Sequence, residues 1–136
     1  MKNMRLVSSI SALLLLLFMF VSGCRPTPLP SIVAISAISP DLNSEVDPDF
    51  GRSEWFIIVD IETMDYEFIE GAGKTLEKGA GPASANQVID KGVGAVLTGE
   101  CGYGAYAVLE SARVRVITQV LGTIEDVIDK YKLGEY

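Results

Sequence analysis

Chemistry in this chain would have to come from very few side chains. Cys101 stands in "LTGECGYGAY", residues 97–106, among Gly99, Gly102 and Gly104. A thiol there could hold a metal, attack an electrophile or fill a small space. A cysteine at a helix start tends towards thiolate, which favours ligation. As an iron ligand it would be a single anchor, well short of the cysteine set that holds a resident iron–sulfur cluster. As a nucleophile it has no histidine to serve as base, because the chain contains none. The third possibility is a small, half-buried cysteine that serves packing alone.

Arg52, just after the Phe50–Gly51 turn, is the best candidate cation for a bound anion; the alternative is a surface pair with Glu54 or Asp49. Glycine lets backbone approach a ligand closely, and free amides at a helix start favour negative charge. Two stretches meet that requirement, "GAGP" with Gly79 and Gly81, and "TGECG" with Gly99, Cys101 and Gly102. Tyr103 and Tyr106 flank the second stretch, either as a cover for a ligand or as packing. "GAGKT", residues 71–75, is not a phosphate-binding loop. The glycine required five positions before Gly73 is Phe68, and no strand–loop–helix frame surrounds it.

These residues need elements to position them. "IVAIS" reads as a buried strand and "EWFIIVDI" as a second, with Trp55 and Phe56 in the core. "YEFIE" pairs with the second strand through "ETMD" as a hairpin. Pro82 suits the first position of a helix over "PASANQVIDK", with Ala85, Val88 and Ile89 buried and Gly92 as the stop. "GAVLTG" is apolar throughout, as a parallel strand covered on both faces is. "YGAYAVLESA" predicts a helix with Ala105, Val108, Leu109 and Ala112 inward, and "VRVI" a fifth strand. Thr123 and Asp126 cap a last helix that buries Ile124, Val127, Ile128 and Tyr131. The pattern is a single α/β domain, a mixed five-stranded sheet with helices packed on it.

The chain has 136 residues, and its start reads as a separate unit. Lys2 and Arg5 precede an apolar run from Ile10 to Val21, broken only by Ser11, and "VSGC" follows. That run is short for a spanning helix of about 20 residues. It fits a lipoprotein-type signal peptide over residues 1–23, with Cys24 as the lipidated residue. An uncleaved anchor with an incidental cysteine is the alternative. Residues 24–31 form a proline-rich tether and residues 32–136 the folded domain. The expected location is the cell envelope, as an exported lipoprotein held to a membrane by its lipid.

The chain holds 11 basic and 18 acidic residues, a net charge of −7. Residues 1–23 contain two of the basic residues and no acid, so cleavage would leave 9 against 18, or −9. Such a surface repels phosphate backbones, so nucleic acid is not an expected partner.

From residue 32 onward the chain resembles the dinitrogenase iron–molybdenum cofactor biosynthesis family. The resemblance rests on "IVAIS", "VDPDFGR", "FIIVD", "GAGP", "GVGAVLTG" with its glycine-rich loop, and "TIEDVIDKYKLGE", in that order. The loop reads "GYGA" where the family often has glycine–proline. The resemblance implies a ribonuclease-H-like sheet with the second strand antiparallel to the rest, without nuclease activity. It implies a non-enzymatic carrier for the iron–molybdenum cofactor, an iron–sulfur precursor or a related small anionic ligand. Arg52, Gly79, Gly81, Gly99, Cys101 and Gly102 would form the site, with Cys101 as the metal ligand. An envelope module that keeps the fold, binds no metal and contacts a protein partner is the competing reading. A thiol enzyme built on Cys101 is a third.

Overall fold

The computed structural model describes residues 26–136 and residue 23. The expected signal segment, Gly23 apart, and the lipidation residue Cys24 lie outside the described residues. Five strands alternate with three helices: β1 Ile32–Ala37, β2 Trp55–Asp60, β3 Tyr66–Glu70, α1 Ala80–Asp90, β4 Ala95–Leu97, α2 Tyr103–Ser111, β5 Arg115–Ile117 and α3 Ile124–Lys132. They form one sheet in the order β3-β2-β1-β4-β5. β2 runs antiparallel to β1 and β3, while β4 is parallel to β1 and β5 parallel to β4. This is the mixed, ribonuclease-H-like arrangement.

Strand alternation divides the core. Val33, Ile35 and Ala37 of β1 join Ile57, Val59, Ala95 and Leu97 in facing Ile124, Val127, Ile128 and Tyr131 of α3. Ala34, Phe56, Ile58 and Val96 face the other way, onto Ala85 and Val88 of α1 and Ala105 and Leu109 of α2. The sheet thus lies between α3 on one side and the α1–α2 pair on the other. Covering both faces is what lets β1 and β4 be apolar without alternation.

Three local details differ from the sequence reading. α1 starts at Ala80 after a left-handed Gly79 (φ 72°), so Pro82 occupies the third helical position rather than the first. That position costs little, because first-turn amides have no acceptor inside the helix. Ala112 is the residue that ends α2 and is exposed, not buried. The last residues of the expected tether belong to the domain. The Tyr131 hydroxyl donates to the Pro30 carbonyl at 3.0 Å, and the Ile61 amide to the Ser31 carbonyl at 2.7 Å.

α3 is the most self-consistent element. Thr123 caps it, its side chain accepting from the Asp126 amide, with Glu125 and Asp126 in the first turn and Lys130 and Lys132 in the last. Both charge placements complement the helix dipole. Thr123→Ala should lower unfolding free energy by about 1 kcal/mol. Urea denaturation with an unchanged slope would verify this; an unchanged midpoint would mean the cap contributes nothing.

Candidate functional site

The parallel strands β1 and β4 end side by side, and the loops that leave them are tied together by backbone. The Glu100 amide donates to the Pro48 carbonyl at 2.7 Å, and the Phe50 amide donates to the Glu100 carbonyl at 3.0 Å. Gly99 makes this approach possible, since a Cβ there would come within 2.6 Å of Pro48 Cα. Behind the tie, buried Ser36 Oγ lies 2.7 Å from the Asp47 carbonyl and 2.8 Å from Thr98 Oγ1. The turn also organises itself: Asp49 Oδ1 accepts from the Gly51 amide at 3.0 Å, and Asp47 Oδ1 from the Asp49 amide at 3.0 Å. Phe50 anchors it in the core, its ring 5.1 Å from that of Phe56.

The anchored turn presses Gly51 against the start of α1. A Cβ on Gly51 would lie 3.1 Å from Gly81 Cα, and buried Ser84 donates to the Gly51 carbonyl at 2.8 Å. The start of α2 touches the start of α1, since a Cβ on Gly81 would lie 3.2 Å from Ala105 Cβ. Gly73 is wedged between the Gly51 and Ala80 carbonyls, where no side chain fits. Small residues therefore bring two helix N-termini and one turn to a common point.

A crevice of ≈ 290 Å³ opens there. Asp49, Gly51 and Arg52 supply one wall, Glu77 to Pro82 the second, and Gly102, Gly104 and Ala105 the third. Ala80 and Gly81 at the start of α1, and Tyr103 and Gly104 at the start of α2, donate to no acceptor among the described residues. Two positive dipole ends with free amides suit an anion.

Of the six residues singled out from sequence, Arg52, Gly79, Gly81 and Gly102 line this crevice and Gly99 and Cys101 do not. Gly99 serves the strand-end tie instead. Cys101 is half-buried and packs against the core cluster that contains Phe50 and Ala105. Its pKa is raised above the ordinary thiol value, first by burial and then by the nearby Asp49 carboxylate. The direction is opposite to the shift towards thiolate expected at a helix start, because burial and a neighbouring negative charge both disfavour the thiolate. Among the described residues no group of three or more Cys, Asp or Glu side chains is arranged to hold a metal ion.

Arg52 pairs with neither Glu54 nor Asp49. Its Nη1 donates to the Leu76 carbonyl at 2.6 Å and its Nη2 to the Glu77 carbonyl at 3.3 Å. Lys78 and Glu77 line the crevice without having been singled out from sequence. The signal for Lys78 was its place directly before "GAGP". Tyr103 is 88 % exposed at the mouth of α2 and covers nothing.

The Cys101 pKa makes a checkable statement about reactivity. Alkylation near pH 8 should run slower than for an ordinary thiol, and its rate should keep rising above the usual thiol range. Asp49→Asn should speed it by removing the negative charge, yet leave the pKa raised, because burial persists. A labelling rate at or above that of free cysteine would contradict this geometry.

Comparisons with known proteins agree with this architecture. The family model described as dinitrogenase iron-molybdenum cofactor matches residues 31–134. An uncharacterised protein of Methanocaldococcus jannaschii is 30% identical over 96 residues, covering 68% of this chain and 81% of that protein. The apo form of the orange protein from Desulfovibrio gigas superposes with a TM-score of 0.75 at 32% identity, covering 80% of this chain and 92% of that one. A Thermotoga protein provisionally named a NifB protein gives 0.68 at 33% identity, covering 76% of this chain and 89% of that one. The chain belongs to the dinitrogenase iron-molybdenum cofactor family.

Proposed function

We propose that this domain is a non-enzymatic carrier for an anionic metal cluster, the iron–molybdenum cofactor or an iron–sulfur precursor of it, bound in the crevice between the starts of α1 and α2. The observation that carries the reading is the convergence of two helix N-termini, with free first-turn amides, on one crevice that also displays Arg52 and Lys78. A sulfide-rich cluster is large and negative, and dispersed N–H donors plus a cation match it without any covalent bond. Membership of the cofactor family supports this cargo class, as does the likeness to a protein carrying the NifB name. Cys101 is half-buried against the core cluster and does not line the crevice, so the proposed grip does not use it as a metal ligand. Its raised pKa also argues against a thiol enzyme.

The reading is tested by anaerobic reconstitution of the folded domain with extracted cofactor, followed by gel filtration. A visible chromophore that co-elutes with the protein is expected, undiminished in Cys101→Ser. A colourless protein fraction, in wild type and variant alike, would dispose of the carrier role.

We further propose that the chain is an exported lipoprotein, cleaved before Cys24 and acylated on it. The basic start, the apolar run of residues 10–21 and "VSGC" support this. Mass spectrometry of the native N-terminus should find a diacylated Cys24. An intact Met1 with a free Cys24 thiol would exclude it.

A further inference from the structure

Four charged side chains line the crevice, and their other bonds sort them. Asp49 is turned into its own loop, its Oδ1 accepting from the Gly51 amide at 3.0 Å and the Arg52 amide at 3.4 Å. Arg52 directs both ends of its guanidinium fork at the carbonyls of Leu76 and Glu77, at 2.6 and 3.3 Å. These are the two residues immediately before Lys78. Glu77 and Lys78 are exposed, and neither forms an ion pair among the described residues. By contrast, Lys74 lies 3.4 Å from Glu70 and 3.8 Å from Glu54, and Lys91 lies 2.7 Å from Glu67.

The segment between β3 and α1 is held by different means at its two ends. Gln87 holds the beginning, accepting from the Ala72 amide at 2.8 Å and donating to the Glu70 carbonyl at 2.7 Å. Lys74 adds its ion pairs and sits 5.7 Å from the Trp55 ring centre. Beyond Gly73 the attachments change. The Leu76 amide reaches only back to Gly73 at 3.2 Å, so Arg52 is what ties Leu76 and Glu77 to the rest of the domain.

We infer that Lys78 is the specificity-determining cation of the crevice, selecting a multiply charged anion, and that Arg52 is a positioning residue that holds Lys78 at the crevice mouth by clamping the two carbonyls before it. This rests on the carrier reading above. An ammonium on a flexible stem is a mobile point charge, suited to cargo of variable shape, whereas a guanidinium fork already committed to two carbonyls is a fixed strut. The Glu77 carboxylate beside it opposes anions, so the selection depends on where the held backbone presents each side chain.

The test uses tetrathiomolybdate, a coloured sulfide-bearing dianion, titrated into wild type and variants, with hydrogen exchange on the ligand-free proteins. Lys78→Gln should weaken binding about tenfold and flatten its salt dependence, and Lys78→Arg should restore most of both. Arg52→Gln should weaken binding by a similar factor and speed exchange of the Leu76 amide, the one amide of residues 76–79 with an acceptor among the described residues, leaving Ala72 protected by Gln87. Trp55, the single tryptophan, reports by unchanged fluorescence that the first half of the segment has stayed in place. Because Arg52 acts through Lys78, the double variant should bind no more weakly than Arg52→Gln alone. Additive losses, or weakened binding without faster exchange, would place Arg52 on the cargo itself and overturn the inference. Wild-type affinity in Lys78→Gln would overturn it while leaving the carrier reading intact. Failure of the wild type to take up both this probe and extracted cofactor would remove the two together.

Discussion

The site depends on one backbone tie, the pair of hydrogen bonds that joins Pro48 and Phe50 to Glu100 across the ends of β1 and β4. A turn of this length, rich in aspartate and proline, has no reason of its own to lie against a neighbouring strand. It lies there because Gly99 leaves room for Pro48 and because Ser36 and Thr98 meet the Asp47 carbonyl from below. Phe50 then carries the turn's hydrophobic weight into the core. Loosening the tie would move Gly51 and Arg52, and with them one whole wall of the crevice.

From that tie a chain of close approaches runs outward. Gly51 meets Gly81, Gly81 meets Ala105, and Gly73 fits between two carbonyls. Each contact is made by a residue with little or no side chain, so the first turns of α1 and α2 are brought together with their amides uncovered. Positions of this kind resist enlargement, since an added methyl meets backbone rather than a flexible side chain. Local geometry thereby gives an acidic protein one place where two helix N-termini and two basic side chains come together. The summed charge of −7 acts at range, while dipole ends and nearby cations act within a few ångströms.

How much of this was legible beforehand divides along physical lines. Local signals read correctly: the hairpin at "ETMD", the doubly covered apolar β4, and the Thr123–Asp126 cap with its buried stripe all follow from neighbours in sequence. The ribonuclease-H-like sheet with β2 antiparallel to its neighbours came through family resemblance, because nothing in periodicity says which strands pair. The crevice residues Arg52, Gly79, Gly81 and Gly102 were identified from residue type, and the fold brings them together. What sequence could not supply was direction. Cys101 stands next to Gly102 in the chain yet packs half-buried against the core cluster and misses the crevice, Arg52 reaches residues 24 and 25 positions away, and Lys78 acquires its place only through that reach. Ala112 failed for a simpler reason, since the helix ends there and its side chain has no layer left to face.

The burial of Cys101 also bears on the kind of grip the crevice can offer. A thiolate aimed into the site would give one strong, directional metal bond whose release requires ligand exchange. Here desolvation, and then the Asp49 carboxylate, push the thiol pKa up, and Cys101 is not part of the crevice lining. What lines the crevice is the first turns of two helices, one committed guanidinium, one exposed ammonium and the carboxylates of Asp49 and Glu77. Contacts of that type are individually weak, depend on salt, and can be surrendered one after another as a second binding surface takes over. On the carrier reading proposed above, a domain that passes its cargo on is better served by several weak bonds than by one strong one.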